Sequence, residues 1–271
     1  MAGASIVTGL FTCAAAGVLA ALLLAPFAEL RRFFFAFNAG TGLLFLALGA
    51  FFRTPPGSPA PASWDPAGLA YVAVMVAMAA TIAYIGALYL PGARPRRAPL
   101  LGAVAAAATA VALDGWTAAG VGAGPAWAFG ANAFAAAGLL GSVIVAMILG
   151  HWYLVRWKLP VDHLVRYARL LAGALGVRMA LLLLGLGAAG LASERGLSGY
   201  LHGVAVERGF FFWQRIFFGL LGPAVFAYMV HETARIRSTQ SATGILYITV
   251  IFVLYGELLA RYLTVAGAGP M

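Results

Sequence analysis

A chain of 271 residues that is 63% hydrophobic and only 9% charged carries more apolar surface than a soluble domain of this size can bury. That composition excludes a soluble enzyme and predicts an all-α, polytopic membrane bundle. The net charge of +9 would suit nucleic acid, but the basic residues sit in short loops between apolar runs, so a lipid bilayer and not nucleic acid is the expected partner.

In chain order the apolar runs read as eight spans: Ser5–Ala28, Phe33–Phe52, Pro66–Leu90, Leu100–Val121, Phe129–Val155, Leu164–Leu191, Phe210–Val230 and Gly244–Ala266. Together they form one membrane domain. No basic segment precedes the first run, so it reads as a spanning helix and not as a cleaved signal peptide. After span 2, the prolines between Arg53 and Pro66 predict an irregular external loop. Span 4 is nearly all small residues. It is expected to pack closely through small-xxx-small contacts, with Gly120 and Gly124 at that spacing. Span 7 carries Pro223, whose ring meets the carbonyl of Gly219, four residues back. A kink and a free acceptor inside the bilayer are expected there. A short echo between Glu29…Thr41–Phe45 and Glu232…Thr243–Tyr247 suits either a duplicated hairpin or coincidence.

The basic residues set the orientation. The connections after spans 1, 3, 5 and 7 hold or adjoin Arg31, Arg32, Arg94, Arg96, Arg97, Arg156, Lys158, Arg166, Arg169, Arg235 and Arg237. The opposite connections hold only Arg53, Arg195 and Arg208. The positive-inside rule then places the first set in the cytoplasm and both termini outside. A bacterial inner membrane is the expected setting.

Arg178, Arg215 and Arg261 are left inside the spans, with the acids Asp114 and Glu257. A charge near the bilayer centre costs at least about 2.5–3.5 kcal/mol, so such residues are paired or used. Arg178 lies ~20 Å from the cytoplasmic end of its span, Arg215 ~8 Å below the outer surface and Glu257 ~20 Å above the cytoplasmic end of span 8. Asp114 is in the outer half of span 4. These residues therefore share the outer half of the membrane. One reading is a polar headgroup site. Arg178 or Arg215 would hydrogen-bond a quinone carbonyl, and Glu257 or Asp114 would exchange its protons. The other is structural: Glu257 and Arg261, at i and i+4, would neutralise each other on one helix. Arg178 has no such neighbour, because Ala174, Leu175, Leu181 and Leu182 fill those positions.

The histidines admit one haem. His151 and His231 both lie at the cytoplasmic edge, where two imidazoles could ligate haem b. But His151 sits in GHWYLVRWK, an aromatic and basic interfacial belt. Haem ligation is the less favoured reading. His163 follows Asp162 in a capping turn at the start of span 6, and His202 is in an external loop. The aromatic runs Phe33–Phe37 and Phe210–Trp213 suit interface anchoring better than ligand stacking. The single cysteine, Cys13, excludes intramolecular disulfides, CxxC zinc sites and cysteine-ligated iron–sulfur clusters. No Walker loop, HExxH or strand-borne GxGxxG is present, so no soluble type of catalytic site is expected.

Eight spans, external termini and a last span containing Gly256–Tyr262, GELLARY, resemble the membrane anchor subunits of dimethyl sulfoxide reductase-type and polysulfide reductase-type quinol oxidoreductases. The resemblance implies a subunit that binds menaquinone or ubiquinone and holds no metal. Its electrons would pass to an iron–sulfur partner subunit, and Glu257 and Arg261 fall in the matching segment. The alternatives are a transporter or proton-conducting protein, with Arg178, Asp114 and Glu257 along its path, and a structural subunit without chemistry. Only span 7 has an internal proline and the repeat is short, which weighs against a transporter.

Overall fold

The computed structural model describes residues 2–53, 65–90, 97–120, 124–156 and 159–271. The proline-rich loop and Arg94, Arg96 and Lys158 of the orientation argument lie outside the described residues. The helices are α1 (Ala2–Leu22), α2 (Phe27–Phe52), α3 (Pro66–Tyr89), α4 (Arg97–Ala119), α5 (Ala126–Val155), α6 (Asp162–Ala192), α7 (Gly196–His202), α8 (Gly209–Ile216), α9 (Gly222–Arg235) and α10 (Thr239–Leu263). Three π-helical turns, Gly203–Glu207, Phe217–Leu221 and Thr264–Ala268, extend or join the later helices. No strand occurs among the described residues. Eight segments there are long and apolar enough to cross a membrane, with α8 and α9 forming one of them through the middle π turn. The protein is an all-α integral membrane bundle, because only closed backbone hydrogen bonding is tolerated in hydrocarbon.

The bundle has two halves. Helices α1 to α4 each pack on the next, and α4 returns to α1. Helices α5, α6, α9 and α10 close a second ring in the same way. The halves meet along α1 and α5. Gly17 and Gly141 make that seam: a Cβ on Gly17 would lie 1.9 Å from the Ala137 carbonyl oxygen, and one on Gly141 2.1 Å from the Gly17 carbonyl carbon. Here backbone meets backbone, the close approach small residues permit in lipid.

Local chemistry sets several ends. Asp65 caps α3, accepting from the backbone N–H groups of Ala67 and Gly68 at 3.0 Å each, with Pro66 following as the first helical residue. At α6 the capping expectation is corrected. Val161 is the N-cap, Asp162 is already helical, and His163 Nε2 instead lies 2.5 Å from Glu29 Oε2. His202 ends the short helix α7, within the connection from α6 to α8. Helix α4 stops at Ala119, so Gly120 and Gly124 lie beyond it, and Gly124 has φ +133°. The small-residue packing falls on buried Ala103, Ala107 and Ala110, and on Gly115, whose Cβ position is 3.1 Å from Gly130 Cα. The sequence echo does not mark equivalent hairpins either. Glu29 opens α2, whereas Glu232 closes α9.

After α10 the chain turns back on itself. Gly267 (φ 79°) and Gly269 (φ 90°) supply left-handed backbone that other residues rarely adopt. Ala268 to Met271 are buried, and the Tyr200 hydroxyl donates to the Ala268 carbonyl.

The orientation has a direct check. Glu194 and Gln240 are exposed at opposite ends of the bundle, and Cys13 is buried. In Glu194→Cys, a membrane-impermeant thiol reagent should label intact cells. In Gln240→Cys it should label only after permeabilisation. The reverse pattern would invert the topology.

Candidate functional site

Glu257 is the centre of the buried polar groups. It lies on α10, between one and two turns before the end of that helix at Leu263, and is 1% exposed. Arg178 of α6 meets it in a fork, with Nε to Oε1 at 2.9 Å and Nη2 to Oε2 at 3.0 Å. Arg215 of α8 donates from Nη2 to Oε1 at 3.1 Å. The same carboxylate is therefore shared by two guanidiniums from two other helices. Such charge-assisted, bidentate contacts are the strong kind.

The second helix hairpin is shaped to allow this. Pro223 opens α9 after the π turn Phe217–Leu221, and the Gly219 carbonyl accepts from Arg215 Nη1 at 3.1 Å. The acceptor expected from the proline is thus present and occupied. Gly219 also touches Gly256: a Cβ on Gly256 would lie 2.2 Å from Gly219 Cα. That contact seats α10 against the π turn and sets Glu257 beside Arg215. Arg178 gives two further donors to Asn132 Oδ1 of α5 and to a main-chain oxygen of Met271, the latter at 2.6 Å.

Asp114 is elsewhere. It pairs with Arg53, the C-cap residue of α2, through Nη1–Oδ1 at 2.9 Å and Nη2–Oδ2 at 2.8 Å. Neither Arg178 nor Arg215 reaches it. Arg261 does not pair with Glu257 either. It donates from Nη2 to Cys13 Sγ at 2.9 Å, so the i, i+4 pair expected on α10 is replaced by a contact across to α1.

A cavity of about 320 Å³ joins these groups. Arg53 and Asp114 stand at its mouth, where α2, α3, α4 and α5 have their outer ends. Arg178, Glu257 and Arg261 line it deeper in, with Asn132 and Cys13. Arg215 lies behind Glu257 and does not line it. A second cavity of about 340 Å³ lies further along the α1–α5 seam, toward the opposite end of the bundle. Its hydroxyls, Ser142 and Tyr167, donate to the Leu139 and Ala21 carbonyls at 2.9 and 2.8 Å. The second cavity is otherwise apolar, so the chemistry resides in the first.

The histidines stay apart from it. His151 is exposed at the end of α5, with Nδ1 3.2 Å from the Tyr247 hydroxyl. His231 is half-buried on α9, its Nδ1 without a partner. Both helices pack on α10. Among the described residues no group of three or more His, Cys, Asp and Glu side chains could hold a metal ion. The aromatic runs do not line the cavity. Phe33, Phe37, Phe210, Phe211 and Trp213 face outward, as anchors do, whereas Phe34, Phe35 and Phe212 are buried and pack in the core.

Sequence reasoning missed four members of the site. Asn132 carried a signal: a lone amide in an apolar span calls for a partner by the same logic as Arg178. Arg53 was assigned to an external loop because it follows the last apolar residue of α2. Cys13 and Met271 carried none. Compared with known proteins, the chain matches no family model, no curated protein and no solved structure.

Proposed function

We propose that the protein is a quinone-reactive membrane subunit of a larger redox complex, seated in a bacterial inner membrane. The observation that carries this is one polar cavity inside an apolar bundle, with cationic donors at its floor and a carboxylate at its mouth. Its volume is at the lower end of the roughly 300–1,000 Å³ usual for small-molecule sites.

The roles follow from which groups have capacity left. Arg178 and both oxygens of Glu257 are committed to each other and to their neighbours. They act as a fixed frame. Arg261 keeps a free Nε and offers the donor for a ring carbonyl. Asp114 is the better-hydrated acid, 18% exposed at the mouth, and relays protons to the outer water. Quinol oxidation releases two protons and two electrons. The protons leave past Asp114. The electrons go to an iron–sulfur partner subunit, since one cysteine cannot hold such a cluster. The segment that resembles the quinol oxidoreductase anchors, Gly256–Tyr262, supplies both Glu257 and Arg261.

The test is ligand binding to the purified protein in phosphatidylcholine nanodiscs. Menadione, a tailless naphthoquinone, should bind saturably. Arg261→Leu should weaken it by about tenfold or more, since a hydrogen bond to a charged group contributes about 1.5–3 kcal/mol. Absence of saturable binding, or a Leu variant that binds equally well, would refute the proposal.

A further inference from the structure

The cavity gathers more guanidiniums than acidic side chains. Arg53, Arg178, Arg215 and Arg261 are gathered around it, against Asp114 and Glu257. The other six acids lie elsewhere. Glu29, Asp162 and Glu232 are at the cytoplasmic ends of helices, Asp65 caps α3, and Glu194 and Glu207 belong to the connection from α6 to α8. None of them lines the cavity. Arg53 and Asp114 cancel. Arg178 and Arg215 share Glu257, and Arg178 also has the Met271 main-chain oxygen at 2.6 Å. Arg261 forms no salt bridge with any carboxylate among the described residues.

Its one hydrogen-bond partner is neutral. The Cys13 thiol donates its proton to the Ala133 carbonyl at 3.3 Å and accepts from Arg261 on its lone pair. The sulfur therefore adds no negative charge. Arg261 Nε is buried and has no partner. The guanidinium is nevertheless built in: a Cβ on Gly9 would lie 2.5 Å from Nη1, so the absence of a side chain at Gly9 makes its room. A half-buried cation with an unpartnered Nε, a neutral neighbour and a cavity in front of it is set to take an anion.

We infer that the cavity selects a singly charged oxyanion, held by Arg261. This inference rests on the quinone reading only for the identity of the ring. Within it, the preferred ligand is a ring bearing an ionised oxygen, such as a quinol monoanion. A water-soluble carboxylate has the same recognition chemistry and is the other source.

Calorimetric titration of the protein in phosphatidylcholine nanodiscs separates the two. The first pair of probes is lawsone, a hydroxynaphthoquinone ionised at neutral pH, and neutral menadione. The second is benzoate and its neutral isostere benzamide. Lawsone should bind about tenfold or more tightly than menadione, a difference of about 1.4 kcal/mol. Arg261→Gln keeps a donor and removes the charge. It should abolish the preference, with lawsone losing about tenfold or more beyond any loss shown by menadione. Arg261→Lys should retain most of the preference, which shows that the charge and not the fold is read. Equal affinity for lawsone and menadione would overturn the inference and leave the quinone reading standing. A preference that survives Arg261→Gln would overturn the assignment to Arg261. If neither naphthoquinone binds but benzoate is preferred over benzamide through Arg261, the anion site holds and the quinone reading falls. If none of the four binds, both fall.

Discussion

Replacing Glu257 with Gln is expected to cost the folded protein about 3–5 kcal/mol, the usual consequence of removing one partner of a buried ion pair. Glu257 is the acidic side chain that faces both guanidiniums, which are 2% and 0% exposed. Gln preserves the shape and one acceptor but leaves two buried like charges facing each other. Removing Arg178 instead is much milder. Arg178→Gln leaves the Arg215–Glu257 pair intact at 3.1 Å, a neutral unit. The double variant Arg178→Gln with Glu257→Gln removes one cation along with the anion and should recover part of the loss. Thermal unfolding of the three variants in detergent reads the order directly. If Arg178→Gln were as damaging as Glu257→Gln, the triad would not be organised around the carboxylate. The same experiment tests whether Glu257 is a fixed charge. A proton-exchanging acid would tolerate the neutral amide far better.

Gly17→Val should be the most damaging change outside the polar cluster. An added Cβ would lie 1.9 Å from the Ala137 carbonyl oxygen, and nothing flexible is there to give way. The seam between the halves has to open. Overpacking of this kind costs about 1–3 kcal/mol, and a branched side chain against backbone belongs at the upper end. The damage also reaches the cavity, because α1 and α5 supply Gly9, Cys13, Asn132, Ala133 and Ala136 to its walls. Menadione binding and unfolding temperature should therefore fall together. Gly40→Ala is the matched control. Gly40 has nothing within 4 Å of its Cβ position, so helix propensity alone acts, favouring alanine by up to about 1 kcal/mol. A Gly17→Val protein as stable as the Gly40→Ala protein would mean that the halves do not meet at this glycine.

The sequence by itself determined what each segment sees of the bilayer. Apolar runs of spanning length set eight crossings, and the rise per residue set the depth of Arg178, Arg215 and Glu257. Pro223 set the free carbonyl at Gly219, because a proline acts on its own helix four residues back. Depth and local backbone are properties of one helix, and a single helix is written in consecutive residues. Partners are not. Glu257 had a cation one turn away in Arg261, yet it is held by Arg178 and Arg215. The rotation of α10 about its axis decides between them. That rotation is fixed where Gly256 meets Gly219 and where Gly9 leaves room for the Arg261 guanidinium. Asp114 went to Arg53 for the same reason, and the tail reached Arg178 only because Gly267 and Gly269 reverse the chain. In lipid the hydrophobic effect does not choose one helix face over another, so close backbone contact and buried ion pairs fix the arrangement. Those contacts join residues tens to hundreds of positions apart, and only the tertiary structure decided them.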